Sequence, residues 1–160
     1  MKMYLLYLFS LINRVIEMRE ILFRGKRKDN GKWIEGSLLN FRENTYIIPH
    51  NSKYCYDDTE KLAFDVEYFE VLPETVGQYT GLTDKNGKKI FEGDIVVDMW
   101  SEDKWIVTFD EGTFLGENVG DYAPEFLEEL CDLNEKGFGG VIVIGNIHYN
   151  PELTEVNKND

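Results

Sequence analysis

Short apolar runs separated by Gly, Asn and Asp dominate the sequence from Glu20 onward, and many of these runs alternate apolar and polar residues. Alternation with a period of two puts the apolar side chains on one face of a strand. The pattern predicts strands over residues 20–24, 32–39, 45–48, 66–72, 75–79, 95–100, 105–109 and 141–148. The last run is almost continuously apolar, which indicates a strand that is central or buried on both faces.

Two Asn-Gly pairs, Asn30-Gly31 and Asn86-Gly87, mark predicted hairpin turns. Gly adopts left-handed backbone without steric cost and Asn tolerates it, so both pairs favour tight connections. The segments around them, residues 30–36 and 86–93, resemble each other, which indicates the same turn chemistry used twice rather than a repeat architecture. A further turn feeds directly into a strand, and its Asp suits bonding to nearby backbone amides. Structural turn roles are predicted for Gly31, Gly87, Gly93 and Asp94.

One amphipathic helix is predicted near residues 124–133. Asp121 suits a capping position, Pro124 suits the first turn, and the apolar residues that follow form one stripe. Residues 51–61 are polar and residues 110–121 are Gly-rich, so both are predicted as connections. The fold class indicated is mainly β, at the margin of α+β.

The acidic charge balance disfavours binding to nucleic acid and to anionic membranes. The chain has 17 Lys and Arg against 30 Asp and Glu, a net charge of −13, which repels phosphate backbones and anionic lipid. The acidic pairs Asp57-Asp58 and Glu128-Glu129 are typical of solvated surface, and the 84–87 turn fails as a calcium loop because lysines interrupt its ligand positions. We therefore predict no catalytic residue, no metal ligand and no cofactor. Cys55 and Cys131 are interpreted as reduced thiols of a cytoplasmic protein.

Residues 1–17 form an apolar leader that is too short for the roughly 20 apolar residues of a membrane-spanning helix. It also has no small-residue cleavage site. We interpret it as a stretch that precedes the true start at Met18, or as a short helix, and expect no membrane association.

Three stretches carry a resemblance to a known family: residues 21–26 with 33–36, residues 76–96, and residues 143–153. In order and spacing they resemble the YopX family of bacteriophage and prophage proteins. The resemblance implies a phage or prophage origin and an SH3-like β-barrel or roll of antiparallel hairpins, and it brings no catalytic residues. It implies a domain over residues 18–153, with an N-terminal hairpin subdomain at 18–72 and the barrel at 73–153, followed by a polar tail at 154–160.

The function predicted is that of a non-enzymatic accessory module in the host bacterial cytoplasm that binds an unidentified protein. Exposed aromatic residues would anchor such a partner. Of Trp33, Trp100 and Trp105, at least two are expected in the core. The alternative is a nucleic-acid-associated module that uses the basic hairpin. Its contact residues would be Arg24, Lys26, Arg27 and Lys28.

Overall fold

The structure of the protein, a computed structural model, describes residues 20–50, 55–56, 62–63, 67–99, 101–120, 127–129 and 140–154. The leader, Trp100 and Cys131 lie outside these ranges. The strands in chain order are β1 (Phe23–Lys26), β2 (Trp33–Phe41), β3 (Asn44–Ile48), β4 (Cys55–Tyr56), β5 (Leu62–Ala63), β6 (Phe69–Glu70), β7 (Gly77–Thr83), β8 (Lys89–Phe91), β9 (Asp94–Asp98), β10 (Lys104–Asp110), β11 (Thr113–Asn118), β12 (Leu127–Glu129) and β13 (Val141–Asn146). Short 3-10 helices cover Pro73–Thr75 and Pro151–Thr154.

The first sheet has six antiparallel strands in the order β6-β3-β2-β1-β7-β8. Strand β1 pairs with β2 through the first Asn-Gly turn and with β7 on its other side. This sheet therefore contains strands from before and after residue 72, where the predicted N-terminal subdomain ends. A backbone close approach holds β2 against β3, because a Cβ at Gly36 would collide with the carbonyl group of Ile48.

The second sheet has five antiparallel strands in the order β12-β11-β10-β9-β13. The chain passes into it from the first sheet at Glu92 and Gly93, which connect β8 to β9. Strand β13 lies at its edge rather than in its centre, and its Ile144 is 39% exposed, so the prediction of a strand that is central or buried on both faces is wrong. Two groups of the 84–85 turn cover part of that edge: Lys85 N–H donates to the Val141 carbonyl, and Asp84 accepts from Val143 N–H.

Both sheets contribute to the main core. Ile90 of β8 packs with five residues of the second sheet: Val96, Trp105, Val107, Val141 and Val143. A smaller cluster contains Leu22, Tyr79 and Phe91. Trp105 is buried, whereas Trp33 is half-buried. Because Trp100 lies outside the described residues, the expectation of at least two core tryptophans stays a prediction.

Three predictions about elements need correction. Residues 127–129 of the predicted helix form β12 and pair with β11, so the helix is wrong there; the remaining residues of 124–133 lie outside the described ranges. The predicted connection at 110–121 contains β11, and that at 51–61 contains β4, which pairs with β5. In the described parts of the chain the strands form open antiparallel sheets without closing into the predicted SH3-like barrel.

The mainly β class is confirmed. Within the described ranges, no helix has the length and apolar character needed to cross a membrane.

Candidate functional site

The basic hairpin, with Arg24, Lys26, Arg27 and Lys28, is largely engaged within the protein. Arg27 Nε donates to Asp29 Oδ1 at 2.9 Å, and its guanidinium lies 3.7 Å from the centre of the Phe69 ring. The hydrogen bond from Arg27 lowers the pKa of the Asp29 carboxyl. Lys28 forms an ion pair with Glu70, and Lys26 is half-buried. The hairpin therefore presents less free positive charge than its sequence indicates.

Arg24 is turned inward. Its Nη2 donates to Asp94 Oδ1 at 2.7 Å, and the two side chains are only 12% and 1% exposed. The guanidinium lies over two aromatic rings, 4.8 Å from the centre of Trp33 and 4.5 Å from that of Phe91. Stacking and ion pairing both stabilise a desolvated guanidinium. Arg24 is thus part of the junction between the sheets rather than an exposed contact.

Asp94 connects four parts of the fold. Besides Arg24 of β1, its carboxylate accepts from Phe91 N–H at 2.9 Å and from Asn146 Nδ2 of β13 at 3.3 Å. Gly93 precedes it with a φ of 80°, a conformation in which a side chain would be strained. The Gly93-Asp94 turn thereby joins β8 to β9 and holds β1 and β13 beside them.

Asp84 has a similar position at the other hairpin. Its Oδ1 accepts from Asn86 N–H at 2.8 Å and Lys88 N–H at 2.9 Å, and its Oδ2 accepts from Val143 N–H at 3.2 Å. Burial alone would raise the pKa of Asp84, but the N–H groups of Lys88, Val143 and Asn86 outweigh it and lower the pKa. Sequence reasoning missed this role, although an Asp that begins an Asn-Gly turn is a signal for it.

A groove lies between the two sheets above the Arg24–Asp94 pair, with a volume of about 620 Å³. This is within the range of about 300–1,000 Å³ that is usual for ligand clefts. Its walls come from the β1–β2 hairpin, the β7–β8 turn and the chain around β13. The lining residues are Arg24, Gly31, Lys32, Trp33, Glu35, Lys88, Asp94, Ile144, Gly145, Asn146, Tyr149 and Asn150.

Large apolar side chains are exposed elsewhere on the first sheet, on what we call the β2–β3 surface. It consists of exposed Leu39, Phe41 and Tyr68 and half-buried Tyr46. Leu39 is directly opposite Tyr46 in the ladder, and the Tyr46 and Tyr68 rings meet edge to face with centres 5.5 Å apart. Leu39 is 42% exposed, Phe41 57% and Tyr68 62%. Sequence reasoning predicted exposed aromatic anchors but did not identify these residues.

The family model described as YopX protein matches residues 22–155, which include the hairpins, the Asp84 and Asp94 turns and the groove. The chain belongs to the YopX family. No curated protein matches this YopX chain. A similar solved structure is that of protein EF1440 from Enterococcus faecalis, which is 26% identical. The alignment covers 85% of the YopX chain and 99% of that chain, with a TM-score of 0.47.

Among the described residues, no group of three His, Cys, Asp or Glu side chains is placed to hold a metal ion.

Proposed function

We propose that this YopX protein is a phage- or prophage-encoded accessory protein of the bacterial cytoplasm that acts by binding another protein, without catalysis. The observation that carries the proposal is the β2–β3 surface, where large apolar side chains are open to solvent next to one another. Contiguous exposed apolar surface is characteristic of protein interaction sites, and aromatic residues supply much of the binding energy there.

The charge distribution supports a protein partner over nucleic acid. Binding to a phosphate backbone requires several free cations, whereas Arg24, Arg27 and Lys28 are each in an ion pair within the chain. A net charge of −13 also opposes approach of a polyanion. The nucleic-acid alternative through Arg24, Lys26, Arg27 and Lys28 is retained as an outcome of the experiment.

The experiment is a capture assay from bacterial lysate, with and without phage infection, with the full chain as bait and nuclease treatment as a second condition. The variant Phe41→Ser/Tyr68→Ser removes two aromatics of the β2–β3 surface. The matched control Ile21→Ser/Met99→Ser removes two apolar side chains that are 63% and 41% exposed elsewhere.

We expect a protein partner that survives nuclease treatment, is retained by the control and is lost with the β2–β3 variant. Capture of nucleic acid alone, or of proteins released by nuclease, would overturn the proposal in favour of the basic hairpin. Equal capture by both variants would overturn the assignment to the β2–β3 surface.

A further inference from the structure

The two similar Asn-Gly-Lys turns bring their lysines to one groove. Gly31 and Gly87 have φ values of 68° and 79°, and each is followed directly by a lysine, Lys32 and Lys88. Although 56 positions separate the lysines in sequence (88 − 32), both line the groove between the sheets. The similarity that appeared as shared turn chemistry in the sequence therefore has a spatial consequence.

Both lysine side chains are available to a ligand. Lys32 and Lys88 are exposed, and neither ammonium forms an ion pair with a carboxylate of the described residues. By contrast, the Arg24 guanidinium in the groove is already neutralised by Asp94 at 2.7 Å.

The remaining lining is partly apolar. Trp33 is half-buried and rests on Arg24, Tyr149 is 69% exposed, and Ile144 is 39% exposed at an irregularity in the β13–β9 register. Such a bulge turns a side chain away from its regular direction. The groove thus combines two free ammonium groups with aromatic and aliphatic surface.

We propose that this groove binds a short peptide segment of a partner protein, in which one or two carboxylates flank an aromatic or aliphatic residue. Lys32 and Lys88 would bind the carboxylates, and Trp33, Tyr149 and Ile144 would contact the apolar side chain. This inference rests on the proposed protein-binding function and names the ligand class of a second surface.

The small number of lysines in the groove favours a peptide over nucleic acid as its ligand. Two free lysines match one or two carboxylates, while Glu35, also in the groove, repels additional anions. The net charge of −13 disfavours a polyanion at longer range. A ligand with few charges and an apolar contact therefore fits better than a phosphate backbone.

The test measures binding of an unlabelled peptide with two glutamates around one tryptophan to the full chain, by isothermal titration calorimetry at low and at near-physiological salt. The groove variant is Lys32→Gln/Lys88→Gln. The control is Lys85→Gln/Lys104→Gln, which makes the same charge change at exposed lysines that do not line the groove. Circular dichroism confirms that each variant is folded.

We expect the groove variant to weaken binding about fivefold to tenfold and the control less than twofold, because a contact to a charged group exceeds the effect of distant charge. Glu35→Gln should strengthen binding about twofold to threefold, since it removes a like charge from the groove. Tyr149→Ala should weaken binding, without the salt dependence of the lysine effect.

Equal weakening in the groove and control variants would overturn the proposal, as would the absence of peptide binding. A short single-stranded oligonucleotide of the same charge that binds more tightly, with the same dependence on Lys32 and Lys88, would also overturn it and indicate nucleic acid. If peptide binding fails while capture through the β2–β3 surface persists, the groove inference is wrong and the proposed protein-binding function stands.

Discussion

Asp84 and Asp94 show how single carboxylates join the two sheets. Each is buried, 5% and 1% exposed, and each accepts hydrogen bonds from both its own turn and β13. A buried carboxylate is tolerable because several donors replace its lost hydration. Both positions are therefore sensitive to Asp→Asn, which replaces one accepting oxygen by an NH2 group that can only donate.

Asp94→Asn should lower the free energy of unfolding by about 3–5 kcal/mol, because it leaves the buried Arg24 guanidinium without a carboxylate. The measurement is urea denaturation at neutral pH. Glu20→Gln is the control, since it makes the same chemical change in an exposed ion pair with Lys89, where we expect less than about 1 kcal/mol. Equal losses in the two variants would contradict a structural role for the Arg24–Asp94 pair.

Asp84→Asn should lower the free energy of unfolding by about 1–3 kcal/mol at neutral pH. The substitution replaces one carboxylate oxygen by an NH2 group, so that either Val143 N–H or the N–H groups of the turn lose their acceptor. The pKa of Asp84 is lowered by folding, so the unfolded chain binds the proton first as the pH falls. The stabilisation is thus complete above the ordinary aspartate pKa of about 3.9 and is lost as the pH falls from there through the folded-state pKa.

Urea midpoints of the wild type and Asp84→Asn, measured from neutral pH down to about pH 3, check this prediction. The difference in urea midpoint between the two proteins should become smaller below about pH 4. A gap that stays constant over this range would show that the charge of Asp84 contributes nothing to stability.

At the scale of elements, backbone approach limits which residues fit within the first sheet. A Cβ at Gly36 would meet the backbone carbonyl of Ile48, its neighbour across β2–β3, and also Ile47. Gly87 differs: its φ is 79°, but an added Cβ would enter open space. One glycine is required by a neighbouring strand and the other by its own backbone conformation.

Gly36→Ala should therefore destabilise the protein by at least about 3 kcal/mol, because a backbone carbonyl cannot yield as a flexible side chain can. Gly87→Ala should cost about 1–2 kcal/mol, the penalty of left-handed backbone for a residue with a Cβ. Thermal melts followed by circular dichroism would compare the two. A smaller loss for Gly36→Ala than for Gly87→Ala would contradict the close β2–β3 approach.

At the scale of the whole molecule, a net charge of −13 over 160 residues creates self-repulsion in the folded chain. Salt screens repulsion between exposed charges, with a Debye length of about 10 Å at 0.1 M. The melting temperature at neutral pH should therefore rise from low salt to about 0.2 M NaCl. The same salt increase near the isoelectric pH, about 4.6, is the control and should have a much smaller effect. An equal rise at both pH values would attribute the effect to something other than net charge.

The local sequence determined the strands and turns because their signals are short-range. Period-two alternation and the Asn-Gly pairs act within a few residues, so most strands of the first sheet and the hairpins at Gly31 and Gly87 were predictable. The helical pattern at 124–133 failed at residues 127–129, where ladder pairing with β11 prevailed over local periodicity.

The tertiary structure alone decided which surfaces are candidates for binding. No local pattern indicates that Arg24 is turned inward against Trp33 and Asp94 rather than exposed, because Asp94 is 70 positions away in the chain and lies in the other sheet. The convergence of Lys32 and Lys88 on one groove depends likewise on how two hairpins pack across the sheets. Sequence determines which groups are present and how the backbone turns locally, but long-range pairing decides which groups meet and which remain open to a partner.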